Sequence, residues 1–185
     1  MGTCVSQLHF VKNNDCKDSL KKATYDTVDV FEPPSGFCKV LDAYDADTCR
    51  VALPMGDGTL AKFTVRLIGI DAPERKPSKN SPLHDLEKEA AMRCRAKFLK
   101  MVTDPRYLDL DFKETNAREI CGKSKKIIRL EGHMFDKYGR ILAKLYDKDL
   151  CINDTLVKQG WVRKYDGATR NPWTKKELER ILSLT

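Results

Sequence analysis

Arg66-Leu67-Ile68-Gly69-Ile70-Asp71-Ala72-Pro73-Glu74 decides how this chain is read. It ends an apolar, β-branched run that begins at Leu60, so the sequence predicts a strand that carries Arg66 and delivers Asp71 just past its end. Pro73 then holds the turn rigid and sets Glu74 three residues beyond Asp71. Two other segments carry related side chains: Asp45-Ala46-Asp47-Thr48 upstream and Asp136-Lys137-Tyr138-Gly139-Arg140 downstream. Carboxylates gather a hard cation, and guanidinium forks clamp phosphate oxygens two at a time. Asp47, Asp71 and Glu74 with Arg66 and Arg140 therefore point to chemistry on a phosphodiester.

Each residue also has a plainer explanation. An isolated turn aspartate commonly caps local N–H groups, and an isolated strand arginine is commonly a surface ion pair. What favours chemistry is their joint spacing. Two carboxylates from neighbouring strand ends, plus a main-chain carbonyl, leave a divalent cation room for water and substrate. Asp47 and Asp71 are the candidate ligands, and Arg66 and Arg140 the candidate phosphate clamp.

The three segments resemble the signatures D-G-D-T, R-L-x-x-x-D-x-P-E and D-K-Y-G-R of the staphylococcal nuclease-like family, and the resemblance covers residues 36–184. It implies an α+β fold, a five-stranded OB-fold barrel with about three helices. It implies Ca2+ on Asp47, Asp71 and the backbone carbonyl of Ala72, where threonine is usual. It makes Arg66, Glu74 and Arg140 catalytic, with Glu74 orienting or deprotonating the attacking water. Lys137 and Tyr138 would meet a terminal phosphate, and Tyr165 would stack on a base. The implied activity is sugar-nonspecific cleavage of DNA and RNA to 3′-phosphate ends. Single strands suit a stacking groove and an exposed backbone. The alternative is an adaptor that binds nucleic acid or protein at a membrane without turnover. Ala46 stands where the family often has glycine, and a positive φ there would strain alanine. No protein partner is identifiable, and a monomer is the default.

Outward from these motifs, strands are expected at Phe37–Tyr44, Thr48–Leu53, Leu60–Ile70, Tyr107–Phe112, Lys126–Glu131 and Arg140–Tyr146. The loop Met55-Gly56-Asp57-Gly58-Thr59 joins the second to the third. Ser81-Pro82 opens a helix whose apolar positions Leu83, Leu86, Ala90, Cys94, Phe98 and Met101 recur at helical spacing. A short helix from Ile152 stops at Gly160. Thr174-x-x-Glu177 is a capping box, with Trp173 and Leu178 spaced as a staple. Residues 114–125 interrupt the family pattern and read as a surface insertion. Trp161 and Trp173 read as core.

The net charge is +7 over 185 residues. Residues 1–30 carry four lysines and four aspartates, so the whole excess belongs to 31–185. It gathers at Arg75–Lys79, Lys123–Arg129 and Arg163–Lys176, a basic rim suited to a polyphosphate. Seven cysteines without a C-x-x-C pair, beside three histidines, argue against structural zinc and for buried thiols in a reducing compartment.

Residues 1–30 read as a flexible tether, and 31–185 as the nuclease-like domain. Met1-Gly2-Thr3-Cys4-Val5-Ser6 fits an N-myristoylation pattern on Gly2. One acyl chain binds membrane only marginally, and a neutral tail offers no basic patch. Cys4 is then the candidate palmitoylation site. The expected location is the cytosolic face of a membrane in a eukaryotic or viral setting.

Overall fold

The computed structural model describes residues 15–56, 58–107 and 116–184. Gly2 and Cys4 lie outside them. The chain divides into two units, Met1–Phe31 and Glu32–Thr185.

In the first unit, helix α1 spans Asp15–Lys22 where the sequence suggests no periodic structure. Lys21 and Lys22 in its last turn suit the helix dipole, and Asp18 pairs with Lys21 at 2.9 Å. Residues 17–31 are exposed throughout.

The second unit is a closed barrel with helices packed outside. Its strands are β1 Gly36–Ala43, β2 Thr48–Pro54, β3 Leu60–Leu67, β4 Ile70–Asp71, β5 Ile128–Phe135, β6 Ile141–Asp147, β7 Leu150–Cys151 and β8 Arg163–Lys164. The order β3-β2-β1-β5-β6 is antiparallel at each step, and a parallel pairing of β3 with β6 closes the ring. This is the five-stranded OB-fold barrel. Its interior follows the period-two rule: Cys49, Val51 and Leu53 of β2 are buried while Arg50 and Pro54 face water.

Register is what assembles the three motifs. Thr48 lies opposite Arg66, which brings Asp47 to the end of β3. Val65 lies beside Ile141, so Arg140 arrives next to the same strand end. Asp71 lies opposite Arg163 in the separate β4–β8 pair. A one-residue slip in any ladder would turn these side chains away.

The helices are α2 His84–Val102, α3 Ala117–Lys123, α4 Ile152–Lys158 and α5 Lys175–Leu182. Of these, α2, α4 and α5 are the three the sequence marks, and α3 is added to them among the described residues of this unit. Ala90, Cys94, Phe98, Leu99 and Val102 of α2 enter the core, with Leu83, Leu86 and Met101 half-buried against it. The helix starts at His84 rather than Ser81, whose hydroxyl instead accepts the Leu83 N–H at 3.2 Å in a preceding turn. Buried Asn153 of α4 accepts the Leu145 N–H at 3.1 Å and donates to the Ile68 carbonyl at 2.9 Å, fixing the turn before Asp71. Gly160 has φ +80°, and a Cβ there would meet the Arg180 guanidinium at 2.6 Å. The capping box at Thr174 forms with both of its bonds, and Trp161, Trp173 and Leu178 are buried.

Two further expectations change. Pro105–Tyr107 is a 3-10 turn rather than the start of a strand, and the rest of the expected strand to Phe112 lies outside the described residues. The described part of the 114–125 insertion is no plain surface excursion. Asn116 caps α3, which sets Ala117, Ile120 and Cys121 against the barrel beside β1. Ala46 is not among the positive-φ residues, so alanine fits its turn without strain. No described helix is long and apolar enough to cross a membrane.

Cys38, Cys49, Cys94 and Cys121 are buried free thiols, and Cys151 is half-buried. Burial pushes Cys38 up to about 12 and Cys121 up to about 11, and it raises Cys49 and Cys94 as well. A thiol whose folded pKa exceeds the unfolded value of 9.0 stabilises the fold fully below that pH and ceases to as pH rises through the folded value. Thermal stability should therefore fall steadily above pH 9. A Cys38→Ala, Cys121→Ala protein should show a shallower fall in the same melting series, and an unchanged slope would contradict the burial argument.

Candidate active site

Asp47 and Asp71 are buried, at 3% and 0% exposure, at one end of the barrel. Asp47 is fixed from within the fold. Its Oδ1 accepts the Thr48 hydroxyl at 2.9 Å, and its Oδ2 accepts the Ala72 N–H at 2.8 Å and meets the Arg66 guanidinium. The Asp47 carbonyl accepts the Leu67 N–H at 2.8 Å. Ala72, the next residue after Asp71, is thereby stitched to Asp47.

Asp71 is held differently, by three guanidiniums. Arg163 meets its Oδ2 at 2.7 and 2.9 Å, Arg170 Nε stands 2.6 Å from Oδ1, and Arg66 Nη2 lies 3.7 Å from Oδ1. Arg66 also donates to the Ile70 carbonyl at 3.2 Å. Burial lowers the Arg66 pKa while the nearby Asp71 charge raises it. Arg163 continues past Asp71 to the carbonyls of Asn171 and, at 3.4 Å, Pro172, and its guanidinium lies 4.2 Å over Trp173. It ties β8 to the loop that follows.

Glu74 is half-buried beside this pair. Glu87 of α2 accepts its backbone N–H at 3.1 Å, and its carboxylate pairs with Arg170. Arg170 also donates from Nη2 to the Ala72 carbonyl at 2.6 Å. Burial alone would lower the Arg170 pKa, but Glu74 and Asp71 outweigh it and raise the group above its usual value. Asp45 completes the cluster. Burial, then the nearby Glu74 charge, pushes its carboxyl up to about 7 against the pull of Arg75, Arg66 and Arg170. Its Oδ1 is buried without a hydrogen-bond partner.

Arg140 stands across from this group. Asp136 accepts the Arg140 N–H and Tyr138 N–H at 2.9 Å each and the Arg140 Nε at 2.6 Å, so the turn aims the guanidinium. Gly139, at φ +74°, supplies the left-handed position that the turn requires. Burial alone would raise the Asp136 carboxyl; the bonds from Arg140 and Tyr138 win and hold it below its usual value. Lys137 and Arg140 lie 5.1 and 5.4 Å from the Tyr138 ring centre.

Two cavities meet here. One, of about 370 Å³, is lined by Asp45, Asp47, Thr48, Glu74 and Tyr44. The other, of about 740 Å³, is lined by Lys137, Tyr138, Tyr165, His133 and the Gly167–Ala168 turn. Arg66, Arg140 and Arg170 line both, so three guanidiniums separate a carboxylate chamber from an aromatic groove. Tyr165 is half-buried, with its hydroxyl donating to the Ala168 carbonyl and its ring edging the groove.

Arg170, Arg163 and Asp45 are the residues that sequence reasoning did not single out as site residues. The two arginines carry a compositional signal only, as part of the basic run 163–176. Asp45 stands in the first motif itself.

The model of the staphylococcal nuclease homologue family matches residues 64–183. The chain belongs to this family. The match begins after Asp45-Ala46-Asp47-Thr48, which reaches the site through the β2–β3 register rather than through the matched stretch. An uncharacterized protein of Bacillus anthracis is 31% identical over 123 residues, 66% of this chain. The chain spans 44% of the length of that relative. Membership makes nuclease-type chemistry and nucleic-acid binding the frame for the site.

The donor chemistry fits the Ca2+ that the family implies. Asp47, Asp71 and the Ala72 carbonyl are hard oxygens in one cluster, since Arg66 meets both carboxylates and Arg170 meets Asp71 and the Ala72 carbonyl. The partnerless Oδ1 of Asp45 belongs to the chamber that Asp47 also lines. No described group of three His, Cys, Asp or Glu side chains forms a ready cage. A site of two carboxylates and one carbonyl would leave its remaining positions to water and substrate.

Asp71→Asn should test the charge balance. It would leave Arg66, Arg163 and Arg170 without their shared anion, at a cost of about 3–5 kcal/mol. Urea unfolding in chelator measures this. A loss below about 1 kcal/mol would show that the guanidiniums find water or other partners.

Proposed function

We propose that this protein is a calcium-dependent, sugar-nonspecific nuclease that hydrolyses single-stranded DNA and RNA and leaves 3′-phosphate ends. The observation that carries this reading is the shared wall of Arg66 and Arg140 between the carboxylate chamber and the aromatic groove. A phosphodiester placed against that wall meets a guanidinium fork from each side, with Glu74 on the chamber side and Tyr138 and Tyr165 along the groove. Bound calcium would supply electrostatic stabilisation of a phosphoryl oxygen.

The chain's own residues have separable tasks. Arg66 and Arg140 bind the phosphate oxygens and stabilise charge that grows as phosphorus becomes five-coordinate. Glu74 orients the attacking water or takes its proton, and the bond to the 5′-oxygen breaks to leave a 5′-hydroxyl. Lys137 and Tyr138 receive a terminal phosphate. Tyr165 offers a ring for a base, and base stacking tolerates any sequence.

Membrane attachment through myristoyl on Gly2 and palmitoyl on Cys4 is part of the proposal and rests on the sequence pattern alone. With few protein donors the calcium site should be weak. A lipid-anchored enzyme facing the cytosol would then act where calcium rises locally. Full activity at sub-micromolar calcium, or membrane retention of a Gly2→Ala protein, would refute this arrangement.

Labelled single-stranded DNA and RNA, digested with calcium or chelator and followed by end analysis, test the activity. Both should be cut only with calcium and leave 3′-phosphates. Arg140→Lys should lower kcat by about 10²–10³-fold, as expected for loss of one transition-state donor. Glu74→Gln should abolish turnover and leave substrate affinity in place. Binding without cleavage by the unaltered protein would instead favour an adaptor.

A further inference from the structure

Arg170 contacts the site in a way the nuclease reading does not use. It comes from the loop between β8 and α5, where described residues 165–174 form neither helix nor strand. Its three guanidinium nitrogens reach three separate groups: Nε to Asp71 Oδ1 at 2.6 Å, Nη2 to the Ala72 carbonyl at 2.6 Å, and Nη1 to the Glu74 carboxylate. The first two are proposed calcium donors, and the third is the proposed partner of the attacking water.

We propose that Arg170 is a built-in competitor for the metal, an internal cation that holds the calcium donors and Glu74 until calcium displaces it. This rests on the calcium-nuclease reading of the same site. Calcium takes oxygen donors at about 2.3–2.6 Å, so an ion on Asp71 Oδ1 and the Ala72 carbonyl must lie where the guanidinium lies. Both cannot be there at once. Charge argues the same way. Arg66, Arg163 and Arg170 already offset Asp47, Asp71 and Glu74, and a divalent ion added to that balanced set would be repelled by all three guanidiniums.

Of the three arginines, Arg170 is the one built to leave. Arg66 sits on β3 and is 15% exposed; Arg163 sits on β8 and is 23% exposed, also bound to loop carbonyls. Arg170 is 36% exposed and projects from the irregular loop. Its 2.6 Å approach to Asp71 Oδ1 is too poorly aligned to count as a hydrogen bond, a contact of charge without direction. Arg163 anchors the loop at Asn171 and Pro172, so Arg170 can swing out without the loop leaving. In its present position it already lines the groove where substrate phosphates would pass.

Calcium titration of the full chain by calorimetry, without substrate, is the test. Arg170→Ala should bind calcium about tenfold more tightly than the unaltered protein, within the usual range of coupling between two ligands. Arg170→Lys, which keeps charge but loses the fork, should fall between them. By reciprocity, calcium should raise the melting temperature of Arg170→Ala more than that of the unaltered protein. Should the alanine protein fail to fold by circular dichroism, Arg170→Lys and Arg170→Gln carry the comparison. Equal or weaker calcium binding in the folded variants overturns the competitor and leaves the nuclease reading standing. No calcium binding by any of the proteins, the unaltered one included, overturns both.

Discussion

A carboxylate removed from water does not remain charged without cations or N–H donors around it. Asp71 is at 0% exposure, and the structure surrounds it with Arg66, Arg163 and Arg170. These arginines come from β3, from β8 and from the loop before α5. One buried charge therefore fastens the barrel to the C-terminal part of the chain. The β4–β8 pairing repeats the link in the backbone, with Asp71 opposite Arg163. The carboxylate chamber and the aromatic groove both take their shape from these contacts.

The barrel was legible because its strands obey simple rules. β-branched alternation located β1, β2, β3 and β6 within a few residues, and the capping box at Thr174 located α5 to the residue. Closure of the ring was not legible from alternation. The parallel β3–β6 pairing joins segments about seventy-five residues apart, and only the family resemblance supplied it. The insertion was misjudged for a related reason. Ala117, Ile120 and Cys121 make too short a stripe to reveal a buried helix, yet a cap from Asn116 and the flank of β1 suffice to order it.

At the site, the motifs singled out their own charged residues, Asp45 excepted, whereas Arg163 and Arg170 outside them carried no such signal. Arg66, Glu74 and Arg140 stand in fixed patterns with carboxylates, which gave each a role. Arg163 and Arg170 stand in a basic run that looks like any solvated face. Such a run does not say which members turn inward, because that depends on an anion brought to them by folding. Asp71 is that anion, about ninety residues upstream of the first and about a hundred upstream of the second.

The two halves of the carboxylate chamber are therefore ordered by different means. Asp47 is held by neighbours it cannot lose while the barrel stands: the Thr48 hydroxyl, the Ala72 amide and Arg66 of the adjacent strand. Glu74, and the face of Asp71 toward it, are held by a guanidinium on a loop. Contacts among residues that the strands themselves bring together persist as long as the sheet does, whereas a half-exposed side chain on a loop exchanges partners at modest cost. A site built this way has one fixed wall and one conditional wall. If Arg170 competes with calcium as proposed, the site's competence depends on which cation occupies the conditional one, and the fold need not move for that to change.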